Sequence, residues 1–196
     1  MLKIFNRLGN RKLNREGVVP RERRGHRLGP TSRIGLLVPA ANSVERKQLH
    51  ELAEALSAME DVSAWRIVAY TGMTRKVHAK ARAQRIQKMG EGVQAPPDFP
   101  QKSEVRCLWA DDCGRLGLPD EGLMSVDDVD VLIFLDQHLQ HLPLKALLRR
   151  SKAPFKVGPI PSDDAALDFM LTWPDGGDML SFVQLAFHYL KTLDLK

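Results

Sequence analysis

The sequence lacks the features that mark membrane proteins, secreted proteins and disulfide-rich domains. Its apolar runs are far shorter than the roughly 20 residues that a transmembrane helix needs. Its first residues do not follow the basic, apolar and small-residue pattern of a secretory signal peptide. Its two cysteines, Cys107 and Cys113, are too few for a disulfide framework. We therefore expect a cytoplasmic protein with free thiols and no transmembrane segment.

The common catalytic and cofactor motifs are missing as well. The loop after the first predicted strand has the sequence VPAANS at residues 38–43, which is not the Gly-x-Gly-x-x-Gly pattern of dinucleotide-binding proteins. The chain contains no Gly-x-x-x-x-Gly-Lys phosphate loop and no Gly-x-Ser-x-Gly nucleophile elbow. Its six histidines form no His-Glu-x-x-His pair. We predict no catalytic residue, cofactor or metal ligand, and expect a binding protein rather than an enzyme.

Basic residues are concentrated near the N-terminus. The net charge is +5, but residues 1–33 hold ten basic and two acidic side chains, whereas the rest holds nineteen basic and twenty-two acidic ones. Residues 1–8 favour a short amphipathic helix, which is marginal alone. Residues 9–30 have few large apolar side chains and cannot bury enough surface to fold alone. We predict that residues 1–33 form a basic, extended arm that stays flexible unless a polyanion binds it.

Strand and helix patterns alternate over the remainder of the chain. Residues 129–135 are apolar except for Asp130, which is typical of a strand buried on both faces. A helical leucine pattern follows from Pro143, and another strand begins at Phe155. This β-α-β unit and the similar patterns around it predict a single three-layer, Rossmann-like α/β domain with a mostly parallel sheet at residues 34–196.

Residues 74–89 are predicted to form a helix with an unusual charge content. They include six basic residues and no acidic residue. At about 100° per residue, these cations spread around the whole helix. One interpretation is a solvated surface helix, and the other is a second contact for a polyanion.

Polar residues follow two strands that would meet at the carboxyl edge of the sheet. If the first strand pairs with the strand at residues 129–135, these residues line a crevice where open α/β sheets bind ligands. Asn42 with Glu45 three residues later is typical of a capping box at a helix start, and this helix would offer free N–H groups to an anion. Asp136 with His138 would be an acid/base pair or would cap the next helix. The candidate ligand residues are Asn42, Ser43, Asp136, Gln137 and His138.

Three segments in the second half of the chain carry a family resemblance. They are a loop with Asp112, Gly117 and Pro119 before the strand at residues 129–135, the Phe-Lys-Val-Gly strand, and the apolar terminal helix. Together they resemble an uncharacterised Bacteroidota family that is catalogued as a domain of unknown function, over about residues 34–194. The resemblance implies a Rossmann-like fold in a cytoplasmic bacterial protein and implies no activity. The β-α-β unit is also distantly similar to half of a two-domain glycosyltransferase.

We consider three functional hypotheses. The first is a non-enzymatic binding protein that docks on RNA, such as the ribosome or another ribonucleoprotein. The alternative is a small-molecule enzyme or sensor that binds a nucleotide or sugar phosphate in the crevice. The third is a protein that binds an anionic membrane surface through its N-terminal segment. The predicted RNA-binding residues are Lys3, Arg7, Arg11, Lys12, Arg15, Arg21, Arg23, Arg24, Arg27, Arg33, Arg75, Lys76, Lys80, Arg82 and Arg85.

Overall fold

Six parallel strands form one sheet in the centre of the structure. A computed structural model describes, with side chains from residue 7 onward, residues 2–60, 62, 64–89, 97–120, 128–138, 140–160 and 165–192. The strands are β1 Arg33–Pro39, β2 Ala64–Tyr70, β3 Val105–Leu108, β4 Val131–Phe134, β5 Phe155–Ile160 and β6 Phe169–Thr172. Their order across the sheet is β3-β2-β1-β4-β5-β6, and all neighbours pair in parallel. The predicted Rossmann-like α/β architecture is confirmed.

The order of the strands reverses at the central pair, β1 and β4. These strands pair from Ile34 opposite Val131 to Leu37 opposite Phe134. Every residue of β4 is buried, and so is every residue of β1 after Arg33. Short apolar strands of this kind are typical of parallel sheets that are covered on both faces. The pairing that the predicted crevice requires is present, so the polar residues that follow β1 and β4 share one edge of the sheet.

Helices cover both faces of this sheet. The described residues form α1 Leu2–Glu16, α2 Ser43–Ser57, α3 Arg75–Met89, α4 Leu142–Arg150 and α5 Met179–Thr192. α2 and α5 pack together on one face, where Leu52 and Phe182 belong to one core. α4 covers the other face with Leu144 and Leu148, and α1 packs against α4. None of the described helices combines the length and the apolar character needed to cross a membrane.

The N-terminal segment begins with a long helix, in contrast to the predicted extended arm. α1 continues to Glu16 and buries Leu13 in a cluster with Leu142. The sequence predicts a helix that ends before Gly9, but Gly9 lies inside α1. A Cβ at this position would clash with the carbonyl oxygen of Leu116. Gly9 therefore serves the close approach of α1 to the domain.

Residues 17–30 then follow the surface of the domain without regular secondary structure. The main-chain N–H groups of Val19 and Leu28 donate to the carbonyl oxygens of Arg149 and Leu190. The prediction of a flexible segment rests on the scarcity of large apolar side chains. In the structure, main-chain groups and arginine side chains of this segment donate hydrogen bonds to the domain. These bonds hold the segment against the domain in place of apolar contacts. The division of the chain at residue 33 stays a prediction.

A buried ion pair anchors this segment. The Arg21 side chain is 2% exposed and donates to the carbonyl oxygens of Pro154 and Ala166 and, at 2.5 Å, to the Asp168 carboxylate. Asp168 also accepts the N–H of Lys156 in β5 at 2.8 Å. Arg21 is one of the predicted RNA-binding residues. Because its side chain is enclosed in this way, it is not available to contact RNA. Its role is to hold the N-terminal segment on the sheet edge.

Arg21→Ala should destabilise the protein strongly. Removal of the guanidinium leaves the buried Asp168 carboxylate with the Lys156 N–H and the more distant, exposed Arg23 as its partners, and loss of one member of a buried pair typically costs about 3–5 kcal/mol in free energy of unfolding. Urea unfolding measures this loss. The matched control is Arg24→Ala, because Arg24 pairs with Glu22 on the surface, where both side chains are about 70% exposed, and such pairs contribute about 0–1 kcal/mol. Equal losses in the two variants would contradict the anchoring role of Arg21.

Candidate functional site

A cavity of about 240 Å³ opens at the carboxyl edge of β1 and β4. Four of the five predicted crevice residues line it, and Ser43 is exposed at the start of α2, outside the lining. Glu45 and Trp173 also line the cavity, and neither is among the ligand residues predicted from the sequence. The position of Trp173 directly after β6 is the signal that could have identified it. The lining residues are Pro39, Asn42, Val44, Glu45, Gln48, Leu135, Asp136, Gln137, His138, Gln140, His141, Trp173 and Met179.

The carboxylate of Glu45 accepts main-chain N–H groups at the start of α2. Glu45 Oε2 accepts the N–H groups of Ala41 at 2.6 Å and Asn42 at 3.2 Å. Asn42 Oδ1 in turn accepts the N–H of Glu45 at 2.9 Å, which completes the capping box. Of these three N–H groups, that of Glu45 belongs to α2, whereas Ala41 and Asn42 precede the helix. The expectation that the start of α2 binds an anion therefore stays a prediction, although the negative charge of Glu45 disfavours an anionic ligand there.

The buried Asp136 and the partly buried His141 form a pair in the cavity wall. Asp136 is 3% exposed, and its Oδ2 accepts the N–H of His141 at 2.8 Å and lies 3.2 Å from His141 Nδ1. Burial raises the pKa of the Asp136 carboxyl, but its interactions with His141 outweigh burial and hold this pKa below its ordinary value. Burial lowers the pKa of His141, but the carboxylate raises it above its ordinary value. The partner of Asp136 is therefore His141, and His138 is exposed.

The two thiols have the properties of structural cysteines. Cys107 and Cys113 are free, as predicted. Burial raises the pKa of Cys107 to about 11 and that of Cys113 to about 12. Little reactive thiolate therefore exists at neutral pH. Within the described ranges, no three His, Cys, Asp or Glu side chains are grouped as metal ligands.

α3 is attached to the domain through ion pairs and through ring contacts of His78 with Phe99 and Trp109. Each of its fifteen side chains is at least partly exposed. Arg75 pairs with Asp112 at 2.8 Å, and Arg85 pairs with Asp98 at 2.5 Å. His78 Nε2 lies 2.7 Å from the same Asp98 carboxylate. In the part of the chain that the structure describes, no carboxylate pairs with the remaining cations of α3, which are Lys76, Lys80, Arg82 and Lys88.

α1 carries a stripe of arginines on the side opposite its buried face. Arg7, Arg11 and Arg15 are exposed and recur every four residues, so they lie above one another on the helix. No described carboxylate pairs with them. Leu13, on the other side of α1, contacts the domain. Lys3 continues the spacing of the stripe, but its side chain lies outside the described residues.

The other predicted RNA-binding residues of the N-terminal segment have partners inside the molecule. Arg27 donates to the carbonyl oxygen of Lys191 at 3.1 Å. Ion pairs within the molecule also reduce the positive potential that a polyanion would meet. The structure therefore separates the arginine stripe of α1 from these residues. The members of such ion pairs are Lys12, Arg21, Arg23, Arg24 and Arg33.

Comparison with known families gives a match over part of the chain. Residues 124–193 match a family described as a family of unknown function (DUF6913). This segment contains β4, α4, β5, β6 and α5. No curated protein and no solved structure matches the chain. The match names no substrate or partner, so the functional argument depends on the geometry described above.

Asp136→Asn should lower the pKa of His141. The substitution removes the carboxylate that raises this pKa and leaves the burial that lowers it, so the imidazole should titrate below its ordinary value of 6.5. NMR titration of the histidine ring protons measures the change. In the wild type, the pKa of His141 is higher in the folded than in the unfolded protein. The pair therefore stabilises the folded protein at acidic pH, and this stabilisation is lost as the pH rises through the pKa of folded His141.

Glu22→Gln is the control for this titration. It removes one carboxylate that pairs with Arg24 on the surface, so it should leave the His141 titration unchanged. A His141 pKa that remains above 6.5 in Asp136→Asn would show that another group raises it.

Proposed function

We propose that the protein is a non-enzymatic binding protein that docks on RNA through the exposed cations of α1 and α3. The observation that carries this proposal is the character of α3. It is a fifteen-residue helix with six cations, no acidic residue and no buried side chain. A helix of this composition is better suited to a polyanionic partner than to packing within its own domain.

The stability of α3 supports this interpretation. Helices of about 15 residues are marginal in water without tertiary packing. Like charges four residues apart, such as Lys76 and Lys80, destabilise a helix further. RNA phosphates would remove this repulsion, and the release of their counterions would contribute to affinity. Both effects favour binding of RNA over a purely structural role.

RNA suits these helices better than an anionic membrane does. A helix that lies on a membrane inserts a continuous apolar face beside its cations. In α1, Leu13 is already buried with Leu142 and Ala146 of α4. In α3, the exposed Val77 and Ile86 are nine residues apart and so lie on opposite sides of the helix. Among the side chains that the structure describes, from residue 7 onward, neither helix offers a continuous apolar face of the kind that lipid requires.

The proposal includes a cellular setting. We infer that the family likeness extends beyond residues 124–193 to about residues 34–194, and that the protein belongs to a bacterial cytoplasm. The ribosome or another ribonucleoprotein is then the RNA partner with the highest local density of phosphates. The match at residues 124–193 supports the family part of this inference.

Removal of unpaired cations from α3 should weaken RNA binding and reduce its salt dependence. Each phosphate contact on a single strand contributes about 0.7 to the slope of log K against log salt, so Lys76→Gln with Lys80→Gln should make the slope shallower by about 1.4. Fluorescence anisotropy with a labelled RNA oligonucleotide at several salt concentrations measures this slope. Deletion of residues 1–33 is a less specific test, because it also removes Leu13 and Arg21 from the fold.

The matched control is Arg24→Gln with Lys47→Gln. It removes the same charge from two residues that pair with surface carboxylates, and it should keep the slope of the wild type. If the α3 variant and this control lose the same affinity, the charge of the whole protein and not α3 drives binding. Tight binding to anionic vesicles in place of RNA would identify a membrane as the partner and refute the proposal.

The cavity at the carboxyl edge supports a second candidate function, the binding of a small polar molecule. Asn42, Asp136, Gln137 and His138 converge there, at the position where open α/β sheets bind ligands. A nucleotide or sugar phosphate fits this lining less well than a neutral or cationic molecule, because Glu45 and Asp136 place two carboxylates around the cavity.

A thermal-shift screen tests the ligand class of this cavity. Nucleotides and sugar phosphates should raise the melting temperature of the wild type and of Asp136→Asn by the same small amount or not at all, because Glu45 and Asp136 disfavour phosphate in the cavity. Nucleosides and small amines are the compounds expected to act there. A nucleotide-dependent rise in melting temperature that disappears in Asp136→Asn would establish a phosphate ligand instead.

A further inference from the structure

A notch opens at the amino edge of the sheet, where β2 extends past its neighbour β3. β3 begins with Val105, which lies opposite Ile67. The first three residues of β2, Ala64, Trp65 and Arg66, therefore extend past the N-terminal end of β3. A cavity of about 520 Å³ lies at this notch. Its volume is in the range of cavities that hold small-molecule ligands.

Two arginines from neighbouring strands line the notch. Arg106 lies opposite Val68, two residues after Arg66, so the two arginines are diagonal neighbours on one face of the sheet. Both are exposed and both line the cavity. Among the described residues, no carboxylate pairs with either of them. Like charges at this spacing repel each other, and an anion between them would replace repulsion by attraction.

The remaining polar groups of the lining are compatible with a phosphate. The hydroxyl of Ser103 is a further donor at the exposed rim. Lys102, which donates to Ser57 at 2.8 Å, is already paired with Glu54. Glu104 is the carboxylate in the lining. Two guanidinium groups against one carboxylate leave the lining with an excess of positive charge.

We propose that the notch binds a phosphate group between Arg66 and Arg106. Guanidinium groups bind phosphate oxygens through paired, charge-assisted hydrogen bonds, which makes arginine the side chain best suited to this ligand. The phosphate belongs either to a free nucleotide or to an RNA backbone, and both present the same oxygens to the arginines. The site is distinct from the cations of α1 and α3, and its free-nucleotide form does not depend on the proposed RNA docking.

Arg66→Gln with Arg106→Gln should abolish this binding. Adenosine monophosphate and inorganic phosphate are titrated separately at constant ionic strength, and the melting temperature and the arginine Nε–H signals in NMR spectra are followed. A ligand that binds the folded protein raises its melting temperature by mass action. We expect a rise in the wild type and at least about tenfold weaker binding in the double variant, since hydrogen bonds to charged groups are each worth more than a factor of ten.

Arg115→Gln is the matched control. Arg115 is an exposed arginine outside the cavity lining, and no described carboxylate pairs with it. Its substitution removes an arginine of the same kind and should leave phosphate binding unchanged. Far-ultraviolet circular dichroism checks that each variant is folded. If Arg115→Gln weakens binding as much as the double variant does, the effect comes from overall charge and the inference is wrong.

Titration with an RNA oligonucleotide distinguishes the two sources of phosphate. If adenosine monophosphate binds the wild type and not the double variant, the ligand is a free nucleotide. If RNA affinity alone falls in the double variant, the phosphate belongs to RNA. If neither ligand distinguishes the double variant from the wild type, the inference is overturned, whatever the result for Lys76→Gln with Lys80→Gln. Failure of the notch and failure of α3 as an RNA contact are therefore separate outcomes.

Discussion

The pairing of β1 with β4 is the constraint on which the rest of the structure depends. Both strands are apolar on both faces, so each face of their pair must be covered. α2 and α5 provide one cover, α4 provides the other, and α1 packs against α4. The same pairing brings the residues after each strand to one edge of the sheet. The cavity with Asn42 and Asp136 is thus a consequence of how the central strands are buried.

Carboxylates determine which cations belong to the fold and which remain on the surface. Asp168 pairs with the buried Arg21 at the sheet edge. Asp112 and Asp98 pair with Arg75 and Arg85 and so attach α3 to the domain. The exposed arginines of α1 and the central cations of α3 have no comparable partner among the described residues. Net charge alone does not make this distinction, because a cation in a buried ion pair is tied to its carboxylate, whereas an unpaired surface cation attracts polyanions.

The parts of the fold that sequence predicts well are those in which a local pattern has a single structural interpretation. The apolar run at residues 129–135 could only be a buried strand, and Asn42 with Glu45 three residues later predicts the capping box. The box implies the hydrogen bond from the Asn42 N–H to the Glu45 carboxylate, but the pattern did not reveal the second one, from the N–H of Ala41. The packing of residues 17–30 was missed because its hydrogen-bond acceptors lie more than a hundred residues away in the sequence. Local composition contains no record of such partners.

The hydrogen bond between Leu28 and Leu190 has a consequence for synthesis on the ribosome. It joins an early segment to α5, so the chain contains contacts of very long sequence separation, which slow folding. At about 5–20 residues per second, roughly 10–30 s pass between the translation of these two residues. During this interval the arginines of the N-terminal segment lack their final partners while they lie close to ribosomal RNA. Nascent chains therefore expose a more basic surface than the finished protein does.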